Sequence, residues 1–68
     1  MTTAAQAMAA ATGRLREAGV DDSARDARIL LAHAAKIDTS RVTLIAPEDI
    51  SSEISERYEN MIRLREAR

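Results

Sequence analysis

The 68-residue chain contains no cysteine, no tryptophan and no phenylalanine, and only one tyrosine, one proline, one histidine and two glycines. Without cysteine no disulfide can form, and nothing points to an oxidising compartment. A metal site needs several ligands at matched spacing, and His33 has neither a second histidine nor a thiolate to join it. No metal site is expected, and His33 is read as a residue on a helix flank. No apolar run is long enough to cross a bilayer and no basic-then-apolar leader opens the chain, so a cytoplasmic location without membrane contact is expected. Ten lysines and arginines stand against eleven aspartates and glutamates, a net charge of −1 at pH 7. That balance supplies no electrostatic reason for direct nucleic-acid binding. With so little glycine there is no phosphate-cradling loop either, since Gly13 and Gly19 both have local explanations.

What the chain has in quantity is alanine, fourteen residues of it. Alanine buries little area but lets helix backbones approach closely, which favours a bundle over a sheet. A chain of this length makes one small domain that buries roughly 60% of its unfolded surface, so its stability should be modest. The expected fold is all-α, a small bundle of four or five short helices.

The spacing predicts a first helix over about 3–18. Thr3 with Gln6 three residues on is a candidate capping box. Ala4, Met8, Ala11, Leu15 and Ala18 share one face, while Gln6, Arg16 and Glu17 look elsewhere. Alanine anchors the first two turns weakly, so fraying is expected there. Gly13 lies on the outer side, and Gly19 can take the left-handed conformation that ends the helix while Val20 folds back on Leu15. The second helix, over about 24–36, is the densest run of helix formers and the centre of the chain. Ala24, Ala27, Leu30, Leu31 and Ala34 fall on its inner face, and Ser23 with Asp26 reads as its capping box. Lys36 falls in its last turn. A short third helix over about 41–46 ends at Pro47, with Ala46 pushed out of helical geometry by the adjoining proline. Val-Thr-Leu-Ile within it has strand propensity, but nothing else in the chain could pair with a strand. Ile50 in the loop should tuck inward. Ser51 or Ser52 caps a fourth helix whose inner face is Ile54, Tyr58, Met61 and Ile62. Glu53 with Arg57 and Glu59 with Arg63 are outward pairs in the favourable order. Arg65 continues the inner stripe, either snorkelling at the bundle end or covered by something further along the protein. The helical pattern is still running at Arg68, which fits a native terminus or, at least as well, a chain that continues.

No residue set reads as a catalytic centre. The serines sit where caps are needed, and the carboxylates sit outward beside arginines. Arg25, Arg28 and Lys36 form a basic strip on the second helix, and Ile29 points away from the main apolar stripe among Arg25, His33 and Lys36. The plain reading of Ile29 is partial cover by the first or last helix; the functional one is a second contact surface. As a phosphate site the strip lacks interleaved aromatics, whereas as a protein-docking surface Arg25, Arg28, Ile29 and Lys36 are the candidates. Composition and spacing alone thus describe a helical interaction module.

The run Arg14-Leu15-Arg16-Glu17-Ala18-Gly19-Val20, followed by Ser23-Ala24-Arg25-Asp26-Ala27-Arg28-Ile29-Leu30-Leu31-Ala32-His33, resembles the N-terminal domain of the HemK/PrmC family, the peptide-chain release factor glutamine methyltransferases. A leucine, an alanine-glycine turn and an Asp-Ala pair leading into Leu-Leu-Ala-His stand at the family's spacing. The later short helix, the loop ending at Ile50-Ser51 and the long helix with Arg63, Arg65 and Arg68 are similar too. Lys36-Ile37 departs from the pattern, which often has a leucine and a glycine there, and leaves the end of the second helix open. The resemblance implies that residues 1–68 are an N-terminal substrate-recognition domain, with the catalytic domain lying outside this chain. It implies a parent enzyme that uses S-adenosylmethionine to methylate the glutamine of the Gly-Gly-Gln motif in class I release factors. The partners it implies are the release factor and the protein's own C-terminal catalytic domain. No cofactor-binding or catalytic residue is carried over, because the Asn-Pro-Pro-Tyr motif and the cofactor loop are not in this sequence. The alternatives are a free-standing module that dimerises through its alanine-rich first helix, and a helix-turn-helix DNA binder, which the acidic balance disfavours.

Overall fold

The computed structural model describes residues 2–67. Four α-helices succeed one another: α1 (Ala4–Glu17), α2 (Ser23–Ala35), α3 (Val42–Ile45) and α4 (Ser52–Ala67), with a single 3₁₀ turn, Thr39–Arg41, leading into α3. The expected all-α bundle is what forms. The strand-prone Val-Thr-Leu-Ile segment is α3 itself, and the one β-type pairing among the described residues is an isolated bridge between Thr3 and Asp49. Arg68, where the helical sequence pattern is still running, lies outside the described residues.

α2 is the central element, packed most extensively on α1 and then on α4. Leu15, Leu31, Ile62 and Val42 are the largest fully buried side chains, one from each helix, and Ala4, Ala11, Ala27, Ala32 and Ala34 fill the gaps between them. The alanines let α1 lie close on α2. The alanine face of α1 is thereby consumed inside the domain. The inner faces expected for α1 and α4 are the observed ones, with Met8, Ala18, Ile54 and Met61 packed at the edges of the core and Ile50 tucked against it.

Local chemistry sets most helix ends. The Thr3 hydroxyl accepts from the Gln6 N–H at 3.1 Å while the Gln6 side chain accepts from the Thr3 N–H at 3.0 Å, a complete capping box. Gly19 adopts φ 86°, and the Val20 and Gly19 N–H groups donate to the Leu15 and Arg16 carbonyls, as expected for a left-handed helix stop. The Ser51 hydroxyl accepts from the Ile54 N–H at 3.1 Å and starts α4.

Five local expectations are corrected. Ser23 does not cap α2: it is the first helical residue and buried, Asp22 stands before it in the left-handed region at φ 53°, and no side chain caps the helix. Asp26 is drawn away to Arg65, whose Nε and Nη2 both donate to its Oδ2 at 3.0 and 2.9 Å. An ion pair with a guanidinium holds the carboxylate more strongly than one bond from an uncharged backbone N–H. With Ser23 inside, the buried stripe runs through Ser23, Ala27, Leu31 and Ala34, so Ala24 is exposed and Ala32 is buried instead. Lys36 lies just past α2, not in its last turn; it takes the left-handed position at φ 59° that ends the helix, and Ile37 N–H reaches back to the Ala32 carbonyl. Ala46 stays helical (φ −50°, ψ −43°) despite Pro47. Its carbonyl accepts the Ala5 N–H and the Glu48 carbonyl accepts the Ala4 N–H, each at 2.9 Å, so the 46–50 loop ties down the first turn of α1 where fraying was expected.

Candidate protein-docking surface

The residues singled out on α2 share its outer face. Arg25, Arg28, His33 and Lys36 are exposed and Ile29 is half-buried, outside the group that packs on the core. The side chains of Arg25, Arg28 and Lys36 enter no ion pair among the described residues. Arg25 is the third residue of α2, next to the positive end of the helix dipole, where a cation is disfavoured by a few tenths of a kcal/mol at an exposed site. None of these three cations is matched by a carboxylate among the described residues, and Arg25 stands at the end of the dipole that disfavours it.

The other arginines behave differently. Arg14 on α1 grips Glu66 through Nε and Nη2 at 3.1 and 2.8 Å and Glu59 through Nη1 at 2.7 Å, tying α1 to α4. Glu59 also accepts from Arg63 at 3.0 Å, and the Arg14 hydrogen bond, ahead of the one from Arg63, holds its carboxyl below the ordinary range. The same two carboxylates push the Arg14 guanidinium further from deprotonation. Arg57 bonds Glu53 at 2.7 Å as expected, but its Nε also donates to the Ala34 carbonyl at 2.9 Å, near the negative end of α2. Arg65 is exposed, and its guanidinium holds Asp26 on α2. The sequence signals an i,i+4 pair from within one helix, so the clamp from Arg14 to α4 and the bonds from Arg57 and Arg65 to α2 left no mark in it.

No fully buried side-chain nitrogen or oxygen lacks a hydrogen-bond partner among the described residues. The Tyr58 hydroxyl donates to the Ala27 carbonyl at 2.8 Å, and burial raises its ionisation well above the usual phenol value. No group of three or more histidine, cysteine, aspartate or glutamate side chains is placed to hold a metal among the described residues. No helix there is long and apolar enough to cross a membrane. What this surface can do chemically is bind, through cations, a half-covered isoleucine and a rigid helical frame.

A family model described as the PrmC N-terminal domain matches residues 6–68. A release factor glutamine methyltransferase of Cereibacter sphaeroides is 49% identical over 65 residues, an alignment covering 96% of this chain and 23% of that protein. The chain therefore spans less than a quarter of the length of this curated relative. No solved structure matches. The matched residues run from the first turn of α1 to the end of α4, the same bundle that the structure builds around α2, and the chain belongs to the PrmC N-terminal domain family.

Proposed function

We propose that this bundle is the substrate-recognition domain of a release factor glutamine methyltransferase. On this reading it holds a class I peptide-chain release factor while a catalytic domain outside residues 1–68 transfers a methyl group from S-adenosylmethionine to the side-chain nitrogen of the Gly-Gly-Gln glutamine. Both glycines serve the helix: Gly13 lies inside α1 and Gly19 ends it. On the family reading the cofactor and the chemistry belong to the other domain, and this chain contributes binding.

The observation that carries the reading is the set of unpaired cations around Ile29, with Arg25 and Arg28 on α2 and Lys36 just past its end. Arginine and an aliphatic anchor are a chemistry suited to a protein partner with an acidic patch. Holding the release factor by a second contact makes delivery of its glutamine intramolecular, which raises the effective concentration at the catalytic pocket without any new contact there.

The test is release-factor methylation by the full-length protein carrying Arg25→Glu and Arg28→Glu. A raised KM for the release factor with kcat retained is the expected result, and the difference should shrink at high salt. An unchanged kcat/KM would reject the strip as the docking surface. Deleting the whole bundle without any effect on KM would reject the recognition role itself.

A further inference from the structure

Beside the C-terminal end of α2, four isoleucines from four successive stretches of the chain converge. Ile37 comes just after α2, Ile45 ends α3, Ile50 lies in the loop and Ile54 opens α4; together they line a cleft of about 180 Å³. All four are half-buried, packed against the core on one side and open on the other. Glu48 and Asp49 stand on its rim, both exposed, and neither carboxylate enters an ion pair among the described residues. Their structural contribution comes through the backbone: the Glu48 carbonyl accepts from Ala4 N–H, and Asp49 bridges Thr3. The nearby Glu53 is already matched by Arg57 at 2.7 Å, so the Glu48–Asp49 side of the rim is acidic, while on the far side of Ile37 stand Lys36, Asp38 and Arg41.

Size and charge together narrow the occupant. Small-molecule sites run to roughly 300–1,000 Å³, so this cleft is a seat for one side chain. An apolar floor selects an aliphatic one. Two free carboxylates at the mouth select a lysine or arginine beside it, whose methylene stem can lie along the isoleucines while its charge stays in water. We infer that the cleft lined by Ile37, Ile45, Ile50 and Ile54 docks an extended protein segment in which an aliphatic residue is flanked by lysine or arginine, with Glu48 and Asp49 reading the charge. This surface has the opposite charge preference to the α2 strip, and it stands whichever partner that strip engages.

Methyl-resolved NMR of the full-length protein tests it, because the isoleucines themselves are the reporters. The probe is a short synthetic Gly/Ser peptide carrying a central Lys-Leu-Lys. The Ile37, Ile45, Ile50 and Ile54 methyls should shift on titration, while Ile29 on the strip and Ile62 in the core stay in place. Replacing Glu48→Gln and Asp49→Asn should weaken binding about three- to tenfold, the effect of losing two exposed charge contacts. Peptides with serine for leucine, or glutamate for both lysines, should not bind; these arms read the cleft even if the double variant folds poorly. Shifts at Ile29 in place of the cleft, no shifts at all, or equal binding of the lysine and glutamate peptides would overturn the inference. A concentration-dependent shift of the four cleft methyls without peptide would overturn it in favour of a second copy of the chain, whose Leu64, 75% exposed between Arg63 and Arg65, carries the same chemistry.

Discussion

The Tyr58 hydroxyl on α4 donates to the backbone carbonyl of Ala27 on α2 at 2.8 Å, so the only aromatic side chain of the protein fastens its central helix from within the core. Removing the hydroxyl with Tyr58→Phe keeps the ring packing and leaves a buried carbonyl short of one partner. A loss of about 1 kcal/mol is expected, read by urea unfolding monitored by circular dichroism. Burial also holds the phenol neutral in the fold above its ordinary value of 10.0. The unfolded chain releases that proton first, so stability should be full below pH 10 and fall as pH rises beyond it. That alkaline slope should be absent in Tyr58→Phe.

Arg14 and Glu59 show the opposite sign. The Glu59 carboxyl is held below its ordinary value of 4.5 by Arg14, so the pair contributes stability above that value and loses it as pH falls through the lowered one. Both side chains are more than a third exposed, at 36% and 40%, so water and salt screen the effect. Arg14→Met is expected to cost about 1 kcal/mol at neutral pH and low salt, less at 1 M NaCl, and to flatten the acid limb of the stability profile. A double-mutant cycle with Glu59→Gln measures the coupling directly.

Two glycines with empty space around the missing Cβ should respond oppositely to alanine. At neither Gly13 nor Gly19 would an added Cβ meet an atom within 4 Å. Gly13 is inside α1, so Gly13→Ala should stabilise by about 1 kcal/mol through propensity alone. Gly19 holds φ 86°, so Gly19→Ala should destabilise by about 1 kcal/mol or more through backbone strain alone. Lys36 presents the mirror case, a side chain at φ 59° where glycine would be unstrained, and Lys36→Gly should stabilise by about 0.5–1 kcal/mol. Thermal melts of the three variants decide the signs.

Arg25 separates stability from binding. A glutamate in its place would suit the positive end of α2, so Arg25→Glu should raise stability by about 0.3–1 kcal/mol at low salt. On the docking reading the same change weakens release-factor engagement. A variant that melts later yet shows a higher KM for the release factor would set these two effects apart, and one that melts earlier would contradict the helix-dipole account.

What the amino-acid sequence settles here is what depends on neighbours a few positions away. The Thr3–Gln6 capping box, the Gly19 stop, the Ser51 cap and the inner face of α4 were legible because hydrogen bonds between close residues and the 3.6-residue period are local properties. The family resemblance was legible for the same reason, since it rests on the local run from Arg14 to His33. The exposed placement of Arg25, Arg28 and Lys36 came from periodicity too, but their freedom from ion pairs did not. The tertiary structure decided matters of competition between distant partners. Asp26 was free to cap α2 until α4 brought Arg65 to it; Ala46 was free to leave the helix until the α1 N–H groups needed its carbonyl; Arg14 looked like any helix-surface cation until Glu59 and Glu66 faced it. The isoleucine cleft belongs with these, because its floor joins residues 37, 45, 50 and 54, and no one-dimensional pattern says that four stretches of chain will meet with Glu48 and Asp49 above them.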